Sequence, residues 1–265
     1  MLGKVKGQVG RQGMKSIFAF ANQKGGVGKT TSSVNIAAYL AVTETPTLLI
    51  DMDPQANAST GIGISNKKFS IYDLLINNKN INNTIYKTDI DFLDIIPSDS
   101  KLAGAEIELV SMFTRESILK ECLQEVQGRY KYIIIDSPPS LGLLTINVLT
   151  ASNSIIIPIQ CEYYALEGLS QLLNTIRLVQ KNLNSNLDIE GILVTMYDSR
   201  LNLSQQVLKE VQDYFGDKVY QTLINRNVRL GEAPSHGKPI VLYDASSTGS
   251  QNYMNLVSEI LDKNG

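Results

Sequence analysis

The stretch Asn22–Thr31 reads N-Q-K-G-G-V-G-K-T-T, and its flanks decide the fold. Ahead of it, Ser16–Ala21 (SIFAFA) is an apolar run of strand length; behind it, Val34, Ala37, Ala38 and Ala41 recur at helical spacing within Thr31–Val42. A glycine-rich loop between a buried strand and a helix is a phosphate cradle. Gly25, Gly26 and Gly28 let backbone N–H groups converge, and the helix N-terminus adds its partial positive charge. Here Lys29 is expected to reach the β- and γ-phosphates of a nucleotide and the Thr30 hydroxyl to ligate Mg²⁺, with Val27 and Thr31 completing the contact run. The general pattern G-x-x-x-x-G-K-[ST] is broken at its first position, where Gln23 stands in place of glycine. A second lysine, Lys24, precedes Lys29 by five residues.

Outward from the loop, Thr47–Ile50 (TLLI), Asp91–Ile96 (DFLDII), Tyr132–Ile135 (YIII), Ile155–Ile159 (IIIPI) and Ile189–Tyr197 (IEGILVTMY) read as further buried strands. Helical patterns fall near residues 102–111, 115–126, 141–151, 165–182, 204–215 and 247–262. Strands alternating with helices predict an α/β class: a mostly parallel twisted sheet with helices on both faces, right-handed crossovers and a P-loop NTPase fold. Ligands of such sheets bind beyond the carboxyl ends of the strands. Residues 14–265 read as a single domain. Residues 1–13 (MLGKVKGQVGRQG), with Lys4, Lys6 and Arg11 and no acid, read as a flexible tail of the kind an expression vector adds before a native start at Met14. The polar segment Asn77–Asn83 (NNKNINN) is expected to be an exposed loop.

The carboxylates are placed accordingly. Hydrolysis of a phosphoanhydride needs a metal held near the phosphates and a positioned nucleophile. Asp51 and Asp53 follow the strand after the loop, and side-chain alternation allows them one face. Asp136 ends the aliphatic run YIIID, the usual place of a second metal-side acid; the plainer alternative is a turn residue or helix cap.

Composition sets the remaining bounds. With 265 residues, 43% of them apolar, the chain can bury a sizeable core. The net charge of −2 gives no argument for nucleic acid, so any basic surface must be local. Cys122 and Cys161 form no C-x-x-C pair and read as reduced, buried thiols of a cytosolic protein. No apolar run reaches the length of a transmembrane helix, and the N-terminus lacks a signal-peptide core.

From Ile17 onward the chain resembles the ParA/MinD family of deviant-Walker ATPases, and within it the ParA (Soj-like) partition ATPases. The matching segments are Asn22–Thr31, Leu48–Gly61 (LLIDMDPQANASTG), Leu102–Val110 (LAGAEIELV) and Ile134–Asn147 (IIDSPPSLGLLTIN), followed by Pro158–Ile176 (PIQCEYYALEGLSQLLNTI), Thr195–Val207 (TMYDSRLNLSQQV) and Arg226–Pro239 (RNVRLGEAPSHGKP). The resemblance implies that ATP and Mg²⁺ are the cofactors, that Lys24 crosses a homodimer interface to the partner subunit's phosphates, and that Asp53 positions the attacking water. It implies further that Asp51 and Asp136 sit beside Mg²⁺ with Thr30, and that Arg200 and Arg229, joined by neighbouring Arg226, bind double-stranded DNA without sequence preference. A ParB-type centromere-binding partner and a cytoplasmic, nucleoid-associated location follow from the same resemblance. Asn225 and Gly231 stand where related sequences often have proline and serine. A MinD-type membrane role would need a basic amphipathic C-terminal helix, which residues 251–265 match poorly. An iron–sulfur ATPase would need cysteines just past the strand-end motifs, and Cys161 lies 25 residues after Asp136. A nucleotide-gated regulator with negligible turnover is the non-enzymatic alternative.

Overall fold

In β1 (Ser16–Phe20), Phe18 and Phe20 point into one layer of helices while Ala19 points into the other, so a continuously apolar run serves two cores. The same division holds along β5 (Tyr132–Asp136), where Tyr132 and Ile134 join one core and Ile133 and Ile135 the other. The structure, a computed structural model, describes residues 16–126, 128–162 and 168–264. The expected tail at residues 1–13 lies outside the described residues, as do residues 165–167 of an expected helix.

In chain order, β1 leads through the loop into α1 (Lys29–Val42). β2 (Thr47–Asp51), α2 (Asn57–Gly61), α3 (Ile71–Leu75), β3 (Tyr86–Lys87) and β4 (Leu93–Ile96) follow. α4 (Leu102–Leu109) and α5 (Ile118–Gln124) precede β5, and α6 (Leu143–Ala151), β6 (Ser154–Gln160), α7 (Leu169–Asn182) and β7 (Asp188–Thr195) come next. The chain continues through α8 (Asn202–Phe215), α9 (Val228–Glu232), α10 (Ile240–Tyr243) and α11 (Thr248–Asn264). The sheet has seven strands in the order β3-β4-β2-β5-β1-β6-β7, parallel except for β3 against β4. The chain leaves β1 towards β2 and β4 on one side and later returns to β6 and β7 on the other. The crevice beyond the end of β1 is therefore the switch point where such folds bind ligands.

α1 and α11 cover one face; the helices from α3 to α8 cover the other. α7 shows the ordinary surface pattern, burying Leu169, Leu172, Ile176 and Val179 and exposing the rest of its surface to varying degrees. α1 is buried on every side from Ser32 to Ala41 because it lies between the sheet and α11. Its polar groups are satisfied by α11 and by α10: the Ser32 and Tyr253 hydroxyls lie 3.0 Å apart, Tyr39 bonds Ser250, and the Ile240 N–H at the start of α10 donates to Asn35 Oδ1 at 2.7 Å.

Three expectations change. Asn77–Asn83 is not wholly an exposed loop: Ile81 is fully buried and opens a 3-10 turn, so one apolar side chain pins an otherwise polar segment. β7 stops at Thr195 rather than Tyr197, because Met196 takes a left-handed φ of 51° that no strand continues through. Asp53 lies beyond the end of β2 and shares no strand face with Asp51. Periodicity also passed over α2, α3, α9, α10 and the two-residue β3. α3 did have a local signal, the capping box of Ser70 and Asp73.

Candidate nucleotide site

The loop expected to cradle phosphate sits at the switch point. Gly28, at φ 85°, enters α1 in the left-handed region that only glycine adopts freely. Among the described residues no side chain caps α1, and no acid occupies its first turn, so its leading N–H groups are left for a ligand. A Cβ on Gly25 would meet nothing within 4 Å among the described residues, which leaves room for an arriving phosphate.

Two cavities flank the loop. One, of 310 Å³, is lined by Gly25, Gly26, Lys29, Thr30 and Asp53 and suits phosphates. The other, of 330 Å³ and mostly apolar, is lined by Ile224, Asn225, Val228, Leu230 and Tyr253 among others and suits a base. Gly28, Thr31 and Met196 line both, so the cavities meet around the loop.

β2 and β5 bring two acids to the floor of this site. Asp51 and Asp136 are register partners on neighbouring strands, on the face covered by α1. Asp51 is fully buried and fully engaged. It accepts from the Asp53 N–H at 3.1 Å, the Ser59 N–H at 2.8 Å and the Ser59 hydroxyl at 2.7 Å. Burial nonetheless raises its pKa to about 6, against the lowering effect of those bonds. Asp136 is equally buried, yet neither oxygen accepts a hydrogen bond of regular geometry from the described residues. Burial first, and the Asp51 charge second, raise its pKa to about 8; the Thr30 hydroxyl and Lys29 lower it less. An orphaned carboxylate pair of oxygens beside a threonine hydroxyl fits a hard cation. Among the described residues no three His, Cys, Asp or Glu side chains gather into a metal cage, so such a cation would complete its shell with phosphate and water oxygens.

Lys29 is buried, and burial lowers its pKa while Asp136 and Asp53 oppose the shift. Its ammonium donates to the Lys24 carbonyl at 3.1 Å. Asp53, 7% exposed, accepts from the Gln55 N–H and faces the phosphate-side cavity. Lys24 departs from simple expectation. It is half-exposed, and its ammonium lies 3.1 Å from Glu162 Oε2, a counter-ion in its own chain. Glu162 also accepts from Gln160, at the end of β6.

Of the expected DNA-binding arginines, Arg200 and Arg226 lie near where β7 ends. A bridge between Tyr197 and Asn225 brings Arg226 alongside. Arg200 grips Asp198 through Nε at 2.9 Å and Nη2 at 2.6 Å, which with help from Arg226 lowers the Asp198 pKa to about 2. Arg229, on α9, pairs with Glu232 at 2.8 Å and Asp244 at 3.6 Å. Two of the three cations therefore carry their own counter-ions. Glu162, Thr195, Met196 and Ser59 were not singled out by sequence; all four lie in segments matched only as part of a longer resemblance.

Comparison with known proteins agrees with this geometry. A family described as "AAA domain" matches residues 14–189. The sporulation initiation inhibitor protein Soj of Bacillus subtilis (strain 168) is 58% identical over 93% of this chain and 98% of its own length. The chromosome-partitioning ATPase Soj of Treponema pallidum (strain Nichols) is 51% identical over 95% and 99%. Among solved structures, cobyrinic acid a,c-diamide synthase from Mycobacterium smegmatis with bound ATP analogue and magnesium superposes with a TM-score of 0.82 at 34% identity, covering 94% of this chain and 95% of that chain. A plasmid partition protein from Borrelia burgdorferi B31 bound to AMPPNP superposes with a TM-score of 0.82 at 28% identity, covering 95% and 100%. No helix among the described residues is long and apolar enough to cross a membrane.

Proposed function

Since the chain belongs to the Soj/ParA family of chromosome-partitioning ATPases, we propose that it hydrolyses ATP with Mg²⁺, dimerises when ATP is bound, and as a dimer binds DNA irrespective of sequence. The dimer segregates a chromosome or plasmid in the cytoplasm, on the nucleoid, together with a ParB-type partner. The observation that carries this reading is the single cavity in which the glycine loop, Lys29, Thr30 and Asp53 converge.

The backbone of residues 25–31 and the Lys29 ammonium hold the phosphates. Thr30 and Asp136 are the groups that would hold Mg²⁺, with Asp51 behind them, locked by Ser59. When bound, the cation neutralises charge on the phosphate oxygens. Asp53 orients the attacking water. Lys24 leaves Glu162 for the phosphates of a second copy. Arg200, Arg226 and Arg229 meet DNA phosphates, which carry no sequence information. The apolar stripe of α11, Tyr253, Leu256, Val257 and Ile260, is spent on packing against α1 and core neighbours rather than left for a bilayer.

The test pairs two substitutions. Asp53→Ala should keep ATP binding, accumulate the ATP-bound dimer and lose on the order of a hundredfold or more in turnover. Lys29→Ala should lose nucleotide affinity. Wild-type turnover in Asp53→Ala would overturn the assignment of that residue.

A further inference from the structure

Thr195, the last residue of β7, is 2% exposed, and its hydroxyl oxygen lies 2.9 Å from the Val27 carbonyl and 3.2 Å from the Ile159 carbonyl. A hydroxyl has one proton, and the shorter contact is to the phosphate loop, 168 residues earlier in the chain. Val27 sits between two glycines with left-handed backbones, Gly26 at φ 75° and Gly28 at φ 85°. Such a segment has no regular structure to hold its carbonyls, and a buried carbonyl without a donor is costly.

The peptide joining Val27 to Gly28 is planar and trans, so its carbonyl and its N–H point in opposite directions. Anchoring the Val27 carbonyl on Thr195 turns the Gly28 N–H away from β7. Thr195 lines the base-side cavity and is absent from the lining of the phosphate-side cavity, whereas Gly28 lines both. The Thr195 side chain also backs the loop sterically, with its methyl 3.6 Å from where a Cβ on Gly28 would stand.

We propose that Thr195 is a positioning residue for nucleotide binding: its hydroxyl fixes the Val27–Gly28 peptide so that the Gly28 N–H faces the phosphates, without Thr195 touching them. The proposal rests on the reading of this loop as the ATP site. It assigns a function to a side chain outside the glycine loop and outside the acids of β2 and β5.

The experiment compares Thr195→Val, which keeps the shape and removes the hydroxyl, with Thr195→Ser, which keeps the hydroxyl. Fluorescent-ATP titration, steady-state kinetics and nucleotide-free melting are read on each full-length variant. Thr195→Val should bind ATP about tenfold more weakly and raise KM in step, with kcat nearly unchanged. Thr195→Ser should stay within about twofold of wild type in affinity. Should Thr195→Val fold poorly, Thr195→Ala must show the same loss relative to Thr195→Ser. Wild-type affinity in both hydroxyl-free variants, or equal losses in the serine and valine variants, would overturn the proposal. Lys29→Ala separates the two claims: if it still binds ATP, the reading of the loop fails, whereas if it loses ATP while the hydroxyl-free variants bind normally, only the role of Thr195 fails.

Discussion

Asp51 and Asp136 end adjacent parallel strands in register, and one is saturated with hydrogen bonds while the other accepts none of regular geometry. The two strands are about 4.8 Å apart, so their charges oppose each other where both carboxylates are fully buried. Asp51 is stabilised by its donors; Asp136 is the acid left in want of a cation.

A pH dependence follows. Burial raises Asp136 to about 8 in the fold, above its ordinary value of 3.8. Between those values the unfolded chain gives up the proton that the fold retains, so its contribution to stability is greatest at low pH and is lost as pH rises towards 8. Asp136→Asn should therefore stabilise the nucleotide-free protein, with a gain that grows from pH 5 to pH 8, on the order of 1–3 kcal/mol, while ATP hydrolysis is lost. Melting curves across that range check it; a gain that does not change with pH would place the charge elsewhere.

Lys24 and Glu162 are both substantially exposed, so their pair contributes little to the fold. Glu162→Gln should change stability by less than about 1 kcal/mol and leave ATP-dependent dimerisation intact or a few-fold tighter, since a competitor for the lysine is gone. Lys24→Ala should bind ATP as a monomer and neither dimerise nor hydrolyse. Light scattering reads both. A normal ATP-dependent dimer in Lys24→Ala would reject the crossing lysine, and loss of the dimer in Glu162→Gln would show that Glu162 does more than compete.

The roles of the three arginines are checked by salt titration of DNA binding in ATP. Each of Arg200→Ala, Arg226→Ala and Arg229→Ala should reduce the salt slope by about one unit per lost phosphate contact. Asp198→Asn, which frees Arg200, should strengthen binding without altering sequence preference. Equal slopes for wild type and Arg229→Ala would remove that residue from the surface, and tight binding without ATP would remove the requirement for a dimer.

The phosphate loop, its strand and the acid-ended strands were legible because their signals are local: glycine spacing, apolar runs and a carboxylate at the end of each. What escaped was set by distant residues. Glu162 meets Lys24 across 138 positions, Thr195 reaches Val27 across 168, and no periodicity announces either. Nothing local to Lys24 marks Glu162 as the carboxylate its ammonium meets within the chain. β3 escaped for a different reason, since two residues are too few to show alternation.

The contact between α1 and α11 also governs when this protein can become competent. Ser32 and Tyr253 are 221 residues apart, and the helix that carries the phosphate loop is buried on every side only once α11 has docked. Until α11 docks, α1 holds its apolar outer surface, and the hydroxyls of Ser32 and Tyr39, without the partners they have in the fold. Contacts of such long sequence separation slow folding. Chains truncated before Thr248 should therefore expose the outer surface of α1 and lack a finished nucleotide site, so the helix that carries the phosphate loop waits on α11 for its setting.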